Sequence, residues 1–558
     1  MKLKSMISIQ WLAAAVFGAG AMLPSACSDG EPGEQDTDSA PGDEGTDTES
    51  EPGDSAAPVE GEVTLTIDSQ EAVHPISPFI YGSNQMGDDT PYLKMGRSGG
   101  NRWTAYNWET NASNAGSDWH YSNDGYLLDD DTPGEAVRRA VEESRRNGAA
   151  HVVTVPMAGH VSADKSGNVD LDDPNHLAER FHESLAKKGA AFDLSPDTSD
   201  DYVYQDEFIN WLDHEFPGAL SDDETPILLS LDNEPALWSH THEEIHPDPA
   251  TYAEMVEKST EMAVAVKNVA PEAKILGFVG YGWAAFETLQ DAPDADGRNF
   301  VDFFLDAMRQ ADEDFGYRLM DVLDLHWYPE AQGGGVRITE DDNSDEVVAA
   351  RLQAPRSLWD DTYTEDSWIS QWSTKGPIAL IPRMLEKIDD HYPGTKLSIT
   401  EYNYGGADHI SGALAEADAL GIFGREGVFA ASLWPLSTSQ DAIMAAFDMY
   451  LNYDGGGGAF GDTSIAAETS DIEASSVYAS VDEGDPNRMV LVAINKTDGR
   501  LAADIEISHD VDFESVEVYQ LTEDDPAAVK SDAAPSIDGN RLTYNMPPLS
   551  VSTLVLSH

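Results

Sequence analysis

The chain has 558 residues, of which 103 are acidic and 32 are basic, giving a formal net charge of −71. Such a surface repels nucleic acid and anionic membranes, so it excludes binding to either as the main role. The only cysteine, Cys27, excludes an internal disulfide. The length suits a barrel plus a smaller module, and the charge fits either a saline habitat or an acidic exported protein without salt preference.

Residues 1–27 have the pattern of an export signal. Lys2 and Lys4 precede an apolar stretch at 7–23, which is too short and interrupted to predict a membrane span. Cys27 follows this stretch after Pro24-Ser25-Ala26 and precedes an acidic segment, which resembles the acylation site of bacterial lipoproteins, so we predict lipid attachment at this residue. The alternative is an ordinary signal peptide whose cysteine is removed. Either interpretation places the protein at the outer cell surface or outside the cell.

The next two segments differ sharply in composition. Residues 28–61 are mainly Asp, Glu, Gly, Pro, Ser and Thr, which predicts a disordered, self-repelling linker. Within segment 62–77, the alternation of apolar and polar residues at 63–67 predicts one strand. Because this strand has no nearby partner, we expect it to pair with the C-terminal sheet.

Strand-forming segments alternate with amphipathic helices between residues 78 and 455. Eight such units predict a TIM barrel, with the active site at the C-terminal ends of the strands. We predict the barrel strands at 79–84, 99–106, 150–156, 226–232, 274–280, 321–327, 396–402 and 428–434.

Residues 456–558 contain short segments with period-two alternation. This pattern predicts an antiparallel β-sandwich. The predicted fold class is therefore α/β, a TIM barrel with a C-terminal antiparallel β-sandwich that also takes in the N-terminal strand. We predict the sandwich strands at 476–481, 488–495, 502–508, 515–521, 541–545 and 552–556.

Two glutamates follow predicted barrel strands four and seven. Glu234 lies in Leu-Asp-Asn-Glu-Pro and Glu401 in Ile-Thr-Glu-Tyr-Asn-Tyr-Gly. A pair of carboxylates at the mouths of parallel strands is what glycoside cleavage requires: one protonates the leaving oxygen, and the other attacks the anomeric carbon or activates water. Asn233, directly before the first glutamate, is placed to hydrogen-bond the sugar 2-hydroxyl.

Several long motifs resemble glycoside hydrolase family 44, over the chain from about residue 63 onward. They are the runs 100–110, 232–242, 324–330, 365–372 and 400–405. The resemblance implies a TIM barrel with a β-sandwich and retaining hydrolysis of β-1,4-glucans, with cellulose derivatives and xyloglucan as typical substrates. It also implies that Glu234 is the general acid/base and Glu401 the nucleophile. A raised pKa of Glu234 is expected from repulsion by an ionised Glu401.

Further side chains are predicted to bind substrate. His326 and Tyr328 follow strand six and are expected to hold the nucleophile or the sugar, and a tyrosine after the nucleophile is a second candidate for holding it. Sugar rings stack on aromatic faces, so exposed tryptophans are predicted subsites. The full predicted set is Asn101, Trp103, Trp119, Asn233, His326, Tyr328, Trp368, Trp372, Tyr402 and Trp434.

Catalysis of this kind needs no cofactor, but a structural calcium ion is predicted. Family 44 is known for bound calcium, and the acidic loop 196–202 offers hard oxygen ligands. We predict Glu109, Asp197 and Asp200 as ligands.

The expected partner is a β-1,4-glucan, and the expected oligomeric state is a monomer. A xylanase or mannanase on the same barrel remains an alternative, because glucose, xylose and mannose backbones all stack on aromatic rings. A non-catalytic glycan-binding lipoprotein is a further alternative, which the presence of both glutamates opposes.

Overall fold

The computed structural model describes residues 61–86, 90 and 92–558. The predicted export signal, Cys27 and residues 28–60 of the predicted linker lie outside the described residues. In the described part, none of the helices combines the length and the apolar character needed to cross a bilayer.

Eight parallel strands close into a barrel, which confirms the predicted TIM-barrel fold. In chain order, barrel strands one to eight are Gly82–Ser83, Met95–Ser98, Ala150–Val155, Ile227–Leu231, Ile275–Gly280, Val322–Trp327, Lys396–Tyr402 and Ala430–Leu433. All of these strands are buried along most of their length because helices cover the outer face of the barrel.

The helices follow the amphipathic segments of the sequence. Their apolar faces and the outer faces of the strands form one continuous core, while side chains such as Phe79, Val152 and Phe429 form a second core cluster. The α-helices are Asn101–Thr104, Glu135–Arg146, His176–Arg180, Gln205–Glu215, Trp238–Thr241, Tyr252–Val269, Trp283–Thr288, Phe300–Phe315, Asp345–Gln353, Leu380–His391, Ile410–Arg425 and Asp441–Leu451.

The second barrel strand was predicted at the wrong place. The prediction was 99–106, whereas the strand is Met95–Ser98, and a short helix occupies Asn101–Thr104. Gly100 separates the two elements with φ of +90°, a conformation that only glycine adopts without strain. The true strand was missed because it carries an arginine, Arg97, which points into the barrel instead of to solvent.

Long loops at the C-terminal ends of the barrel strands carry small sheets of their own. Three strands after barrel strands two and three pair as one sheet, three others pair as a second sheet, and a hairpin follows barrel strand six. These strands are Ser113–Asn114, Ser122–Asp124 and Gly167–Asn168; His160–Ser162, Phe181–Leu185 and Tyr202–Tyr204; and Gln332–Gly333 and Val336–Arg337.

The C-terminal strands form one curled sheet of ten strands. The strands are Val63–Asp68, His74–Pro75, Thr463–Thr469, Ser475–Asp482, Asp485–Asn495, Leu501–Ser508, Ser515–Leu521, Val529–Lys530, Arg541–Met546 and Ser550–Ser557. Apolar side chains from both halves of the sheet, including Leu491, Ile505 and Leu554, share one core. This arrangement confirms the predicted β-sandwich. The strand Thr463–Thr469 was not among the predicted strands.

The N-terminal strand Val63–Asp68 lies inside this sheet, as predicted. Leu65 pairs with Thr469 in antiparallel fashion and with Ile505 in parallel fashion. The side chains of Val63, Leu65 and Ile67 are buried in the sandwich core. The start and end of the described chain are thereby joined in one sheet.

A buried ion pair connects the sandwich to the barrel. Lys496 Nζ lies 2.7 Å from Asp418 Oδ2, and Tyr478 donates its hydroxyl to Asp418 Oδ1 at 2.6 Å. Asp418 belongs to the helix that follows barrel strand seven. If the helix moved away from the sheet, the buried charges would lose their partners, which costs free energy. The contact therefore fixes the position of this helix against the sheet.

Candidate active site

Glu234 follows the fourth barrel strand on a tight turn. Asp232 and Glu234 both have left-handed backbone conformations, with φ of +66° and +48°, which cost free energy for residues other than glycine. The buried carboxylate of Asp232 offsets this cost. It accepts hydrogen bonds from Thr104 Oγ1 at 2.7 Å and from the Ala158 amide at 3.0 Å. The turn is thus fixed by the two preceding strands and their loops.

Glu401, at the end of the seventh strand, is held by two donors, one from a buried arginine and one from a half-buried tyrosine. Arg97 Nη1 lies 2.6 Å from its Oε1, and the Tyr328 hydroxyl donates to its Oε2 at 2.8 Å. The Arg97 side chain is fully buried and also donates to Asn84 at 3.0 Å and to Asn233 at 2.8 Å. A carboxylate with two such donors is fixed in orientation.

His326 connects the two glutamates. Arg97 Nη2 lies 3.3 Å from His326 Nε2, and because a guanidinium can only donate, Nε2 is the acceptor. The proton of a neutral ring is therefore on Nδ1, which donates to Glu234 Oε1 at 2.7 Å. Burial lowers the pKa of His326 to about 4, so the ring is neutral near pH 7.

Burial raises the pKa of Glu234 to about 7. The negative charge of Asp118 adds to this effect, and the positive charge of Arg97 opposes it. Removal from water is thus the main cause, not the expected repulsion by Glu401. Glu234 is therefore partly protonated at neutral pH, as a general acid must be.

The two carboxylates are close together. One oxygen of Glu234, one oxygen of Glu401 and a ring nitrogen of His326 all lie within 4.8 Å of one another. A short separation is characteristic of glycosidases that retain configuration. These donor atoms would also suit a metal ion, but Arg97 already supplies the positive charge, and the Nδ1 proton of His326 faces the site.

Below these residues, Asp324 joins the sixth and seventh strands. Its buried carboxylate accepts hydrogen bonds from Ser398 Oγ at 2.7 Å and from Thr400 Oγ1 at 2.8 Å. The strand ends that carry His326 and Glu401 are therefore fixed relative to each other by side chains as well as by the backbone.

Trp434 follows the eighth strand and lies half-buried beside the site. A Cβ atom at Gly100 would be only 2.6 Å from the Trp434 ring, so the close approach requires glycine. The Gly100 amide donates to Asn233 Oδ1 at 3.1 Å. The predicted residues Asn233 and Trp434 are thus brought together with the glutamates.

Three of the predicted tryptophans are exposed on opposite sides of the barrel mouth. Trp119 is 53% exposed in the loop after strand two, and Trp368 and Trp372 are 40% and 75% exposed in the segment after strand six. Asn101 donates its side-chain amide to Asp118 at 2.9 Å, next to Trp119. These side chains are therefore exposed in segments that follow strands on opposite sides of the barrel.

Two predicted substrate contacts are wrong. Trp103 is buried in the core against the Tyr106 ring, at a centroid distance of 4.8 Å. Tyr402 points away from the cleft and donates its hydroxyl to the buried Glu416. Successive residues of a strand face opposite sides, so the residue after an inward-facing Glu401 must face outward. The tyrosine that holds Glu401 is Tyr328.

Arg97 and Asn84 are the site residues that the sequence did not reveal. Asn84 anchors the end of the first strand by donating its side-chain amide to the Thr400 carbonyl at 2.9 Å. Its side-chain oxygen accepts a hydrogen bond from Arg97 Nη1. An arginine within a strand is usually read as a solvent-facing residue. The Gly-Gly pair directly after the strand was the available signal that the loop there approaches another group closely.

The predicted calcium ligands lie near one another but are not gathered into a coordination sphere. Glu109 is buried, its Oε2 has no hydrogen-bond partner, and burial raises its pKa to about 8, with contributions from Asp200 and Glu207. Asp197 and Asp200 each accept a backbone hydrogen bond within their own loop. Among the described residues, the only group with ligand atoms mutually within 4.8 Å is the one at Glu234.

Comparisons with known proteins agree with the geometry. The model of glycoside hydrolase family 44 matches residues 112–331. Endoglucanase A of Paenibacillus lautus is 44% identical over 511 residues, which are 89% of this chain and 72% of that protein. A Paenibacillus polymyxa xyloglucanase solved with xyloglucan has 42% identity and a TM-score of 0.86, with coverage of 89% of this chain and 99% of that one. A family 44 endoglucanase from Clostridium thermocellum has 44% identity and a TM-score of 0.85, with the same coverage. Since these similarities include both the barrel and the sandwich, the chain belongs to glycoside hydrolase family 44.

Proposed function

We propose that this glycoside hydrolase is an endo-β-1,4-glucanase that cleaves cellulose-type glucans, xyloglucan or both, with retention of configuration. The observation that carries the proposal is the unequal pair of carboxylates. Glu234 is half-buried and has a pKa raised to about 7, whereas Glu401 is buried and paired with Arg97 at 2.6 Å. One group is thus suited to donate a proton and the other to attack as an anion.

In the first step, Glu401 attacks the anomeric carbon and the bond to the leaving oxygen breaks. Glu234 transfers its proton to that oxygen, so the departing sugar leaves as a neutral alcohol. Asn233 accepts hydrogen bonds from Arg97 and from the Gly100 amide with its oxygen. Its amide nitrogen is therefore left to donate to the sugar 2-hydroxyl, where the interaction strengthens in the transition state.

In the second step, water attacks the glycosyl ester and restores the carboxylate of Glu401. Glu234, now ionised, takes the proton from that water and returns to its starting state. His326 assists because its Nδ1 proton, directed at Glu234 Oε1 over 2.7 Å, stabilises the ionised form between the two steps. Tyr328 keeps the departing carboxylate of Glu401 in place through its 2.8 Å hydrogen bond.

The exposed tryptophans support action within long chains. Trp119 lies on the strand-two side, and Trp368 and Trp372 lie on the strand-six side. Strands two and six are on opposite sides of an eight-stranded barrel, so a chain that reaches both groups crosses the catalytic centre. The contact of the Trp434 ring with Gly100 supports the proposal that Trp434 is the floor under the sugar that is attacked. Exposed aromatic rings on both sides of the catalytic centre favour internal cleavage.

The substrate class is tested by activity on carboxymethylcellulose, xyloglucan, xylan and glucomannan, with sizing of the products. We expect reducing ends to appear on the two glucans, accompanied by a rapid fall in chain length. Faster turnover of xylan or glucomannan would favour the xylanase or mannanase alternative instead. Activity on none of the four would contradict the proposal.

A structural calcium ion is part of this proposal. Glu109 is buried, its Oε2 has no hydrogen-bond partner, and Asp200 lies nearby. Oxygen atoms of this kind are suitable ligands for a hard cation such as calcium. Asp197 is the third candidate ligand. Such an ion would hold the loops after barrel strands two and three together. Addition of calcium to chelator-treated protein is expected to raise the melting temperature.

We also propose that the protein is exported to the outer cell surface or the medium and that Cys27 is lipidated. A monomeric state is a further proposal. The support comes from the apolar stretch after Lys2 and Lys4 and from the position of the cysteine. Labelling with a radioactive fatty acid tests the anchor: wild type should incorporate label, and Cys27→Ala should not. Equal labelling of both forms would refute lipidation at this residue.

A further inference from the structure

The loop after the second barrel strand presents a tyrosine that the catalytic centre does not use. Tyr126 is 66% exposed, one of the most exposed large side chains in the described part of the chain. The guanidinium of Arg102 covers one face of its ring, at 4.2 Å from the ring centroid. The other face is thus left to solvent.

The ring is held in place by more than this contact. Arg102 Nη1 pairs with Asp124 Oδ1 at 2.5 Å, and the same carboxylate oxygen accepts the Tyr126 amide at 3.0 Å. Asp124 thus orients both the arginine and the tyrosine backbone. Between them, Gly125 packs so closely that a Cβ there would lie 3.1 Å from the Asp129 Cα. A fixed ring loses little conformational entropy when a ligand stacks on it.

The position of this platform follows from its neighbours. Arg102 comes directly after Asn101, whose side chain donates to Asp118 at 2.9 Å. Asp118 is close enough to Glu234 for its charge to raise the pKa of that residue. Trp119 follows Asp118 and is exposed. The platform therefore belongs to the loop after barrel strand two, which also carries Asp118 and the exposed Trp119.

We infer that Tyr126, backed by Arg102, is a distal subsite that stacks a pyranose ring of the glucan chain and extends the cleft beyond Trp119. The inference rests on the proposed function, since its ligand is the same β-1,4-glucan. Pyranose rings expose C–H faces that stack on aromatic rings, and the guanidinium of Arg102 packs against the opposite face of the Tyr126 ring.

Binding to the Glu401→Gln background tests this inference without turnover. Calorimetry with cellotriose and cellohexaose is compared for that background alone and with Tyr126→Ala, Tyr126→Phe or Tyr317→Ala added. Tyr317 is the matched control because it is also an exposed tyrosine, 40% accessible, but lies before the sixth barrel strand, at the opposite end of the barrel.

Tyr126→Ala is expected to weaken cellohexaose binding by about five- to thirtyfold, by analogy with bases stacked on aromatic side chains. The loss for cellotriose should be smaller, because a short ligand gains most from the central subsites. Phenylalanine should restore the affinity, and Tyr317→Ala should leave it unchanged.

Unchanged cellohexaose affinity in Tyr126→Ala would overturn the inference. So would an equal loss for both oligosaccharides together with a lower melting temperature, which would show that Tyr126 only supports the fold of its loop. If the Glu401→Gln background bound neither oligosaccharide, the proposed action on cellulose-type glucans would fail, and the inference about Tyr126, which shares that ligand, would fail with it.

Discussion

The buried carboxyl of Glu416 offers a quantitative test of the structure behind the nucleophile. Glu416 lies on the helix after barrel strand seven and accepts the hydroxyl of Tyr402, the residue next to Glu401, at 2.5 Å. Its second oxygen has no partner. Burial raises the pKa of Glu416 to about 8, so the group is protonated in the folded enzyme at neutral pH. Glutamine at 416 would imitate this neutral state.

The sign of the pH effect follows from proton binding. Between the unfolded pKa of about 4.3 and the folded value of about 8, the folded state holds a proton that the unfolded state has lost. The stability that Glu416 contributes is therefore complete below the lower value and falls as pH rises through this window. At about 1.4 kcal/mol per pH unit, the loss amounts to roughly 5 kcal/mol.

Urea unfolding at several pH values from 5 to 8, followed by tryptophan fluorescence, measures the difference. We expect Glu416→Gln to gain stability relative to wild type steadily with pH, by several kcal/mol over this range. The control is Glu272→Gln, which removes one charge at an exposed position and should show no such trend. A constant difference between Glu416→Gln and wild type at all pH values would refute a protonated, buried carboxyl at this position.

Four further outcomes are expected. Glu401→Gln should fold normally and lose about 4–7 kcal/mol of transition-state stabilisation on every substrate; activity within tenfold of wild type would contradict its role. Wild-type kcat/KM should fall above about pH 7 as Glu234 loses its proton, and the Glu234→Ala variant should not show this fall. With azide and an activated aryl cellobioside, Glu234→Ala should form a β-glycosyl azide. Formation of an α-glycosyl azide would exclude retention of configuration by this pair of glutamates. Trp372 is 75% exposed, so Trp372→Ala should lower kcat/KM on polymer by about five- to thirtyfold with little change in melting temperature. Trp368→Ala should have a similar effect. Equal losses of kcat/KM on polymer and on aryl cellobioside would argue that these tryptophans are not distal subsites. With calcium held constant, the melting temperature should rise between about 10 mM and 1 M NaCl because salt screens the −71 net charge; a flat curve would show that the charges are already well dispersed.

The barrel and the position of its catalytic pair followed from local sequence patterns. Strands four, six and seven are buried segments, and Glu234, His326 and Glu401 lie at or just after their C-terminal ends. Parallel strands place their C-terminal ends at one face of the barrel, so residues far apart in sequence must meet there. The same kind of pattern predicted that strand Val63–Asp68 would join the C-terminal sheet.

Predictions from local sequence patterns failed where a residue lies in an environment that is unusual for its type, such as a charged side chain in the barrel interior. Arg97 is a fully buried arginine inside a barrel strand, and its burial is tolerated because Glu401, Asn84 and Asn233 accept its hydrogen bonds. These acceptors come from three other strand ends, so no window of neighbouring residues contains them. The second barrel strand was misplaced for the same reason.

The sequence by itself determined the residue types, their order along the chain and the two glutamates on their strands, because these depend on short-range periodicity and chain topology. Only the tertiary structure decided that Tyr328 and not Tyr402 holds Glu401, that burial is the main cause of the raised pKa of Glu234, and that Trp103 lies in the core. Side-chain direction, distance and loss of water depend on residues brought together from distant parts of the chain, which only the closed barrel defines.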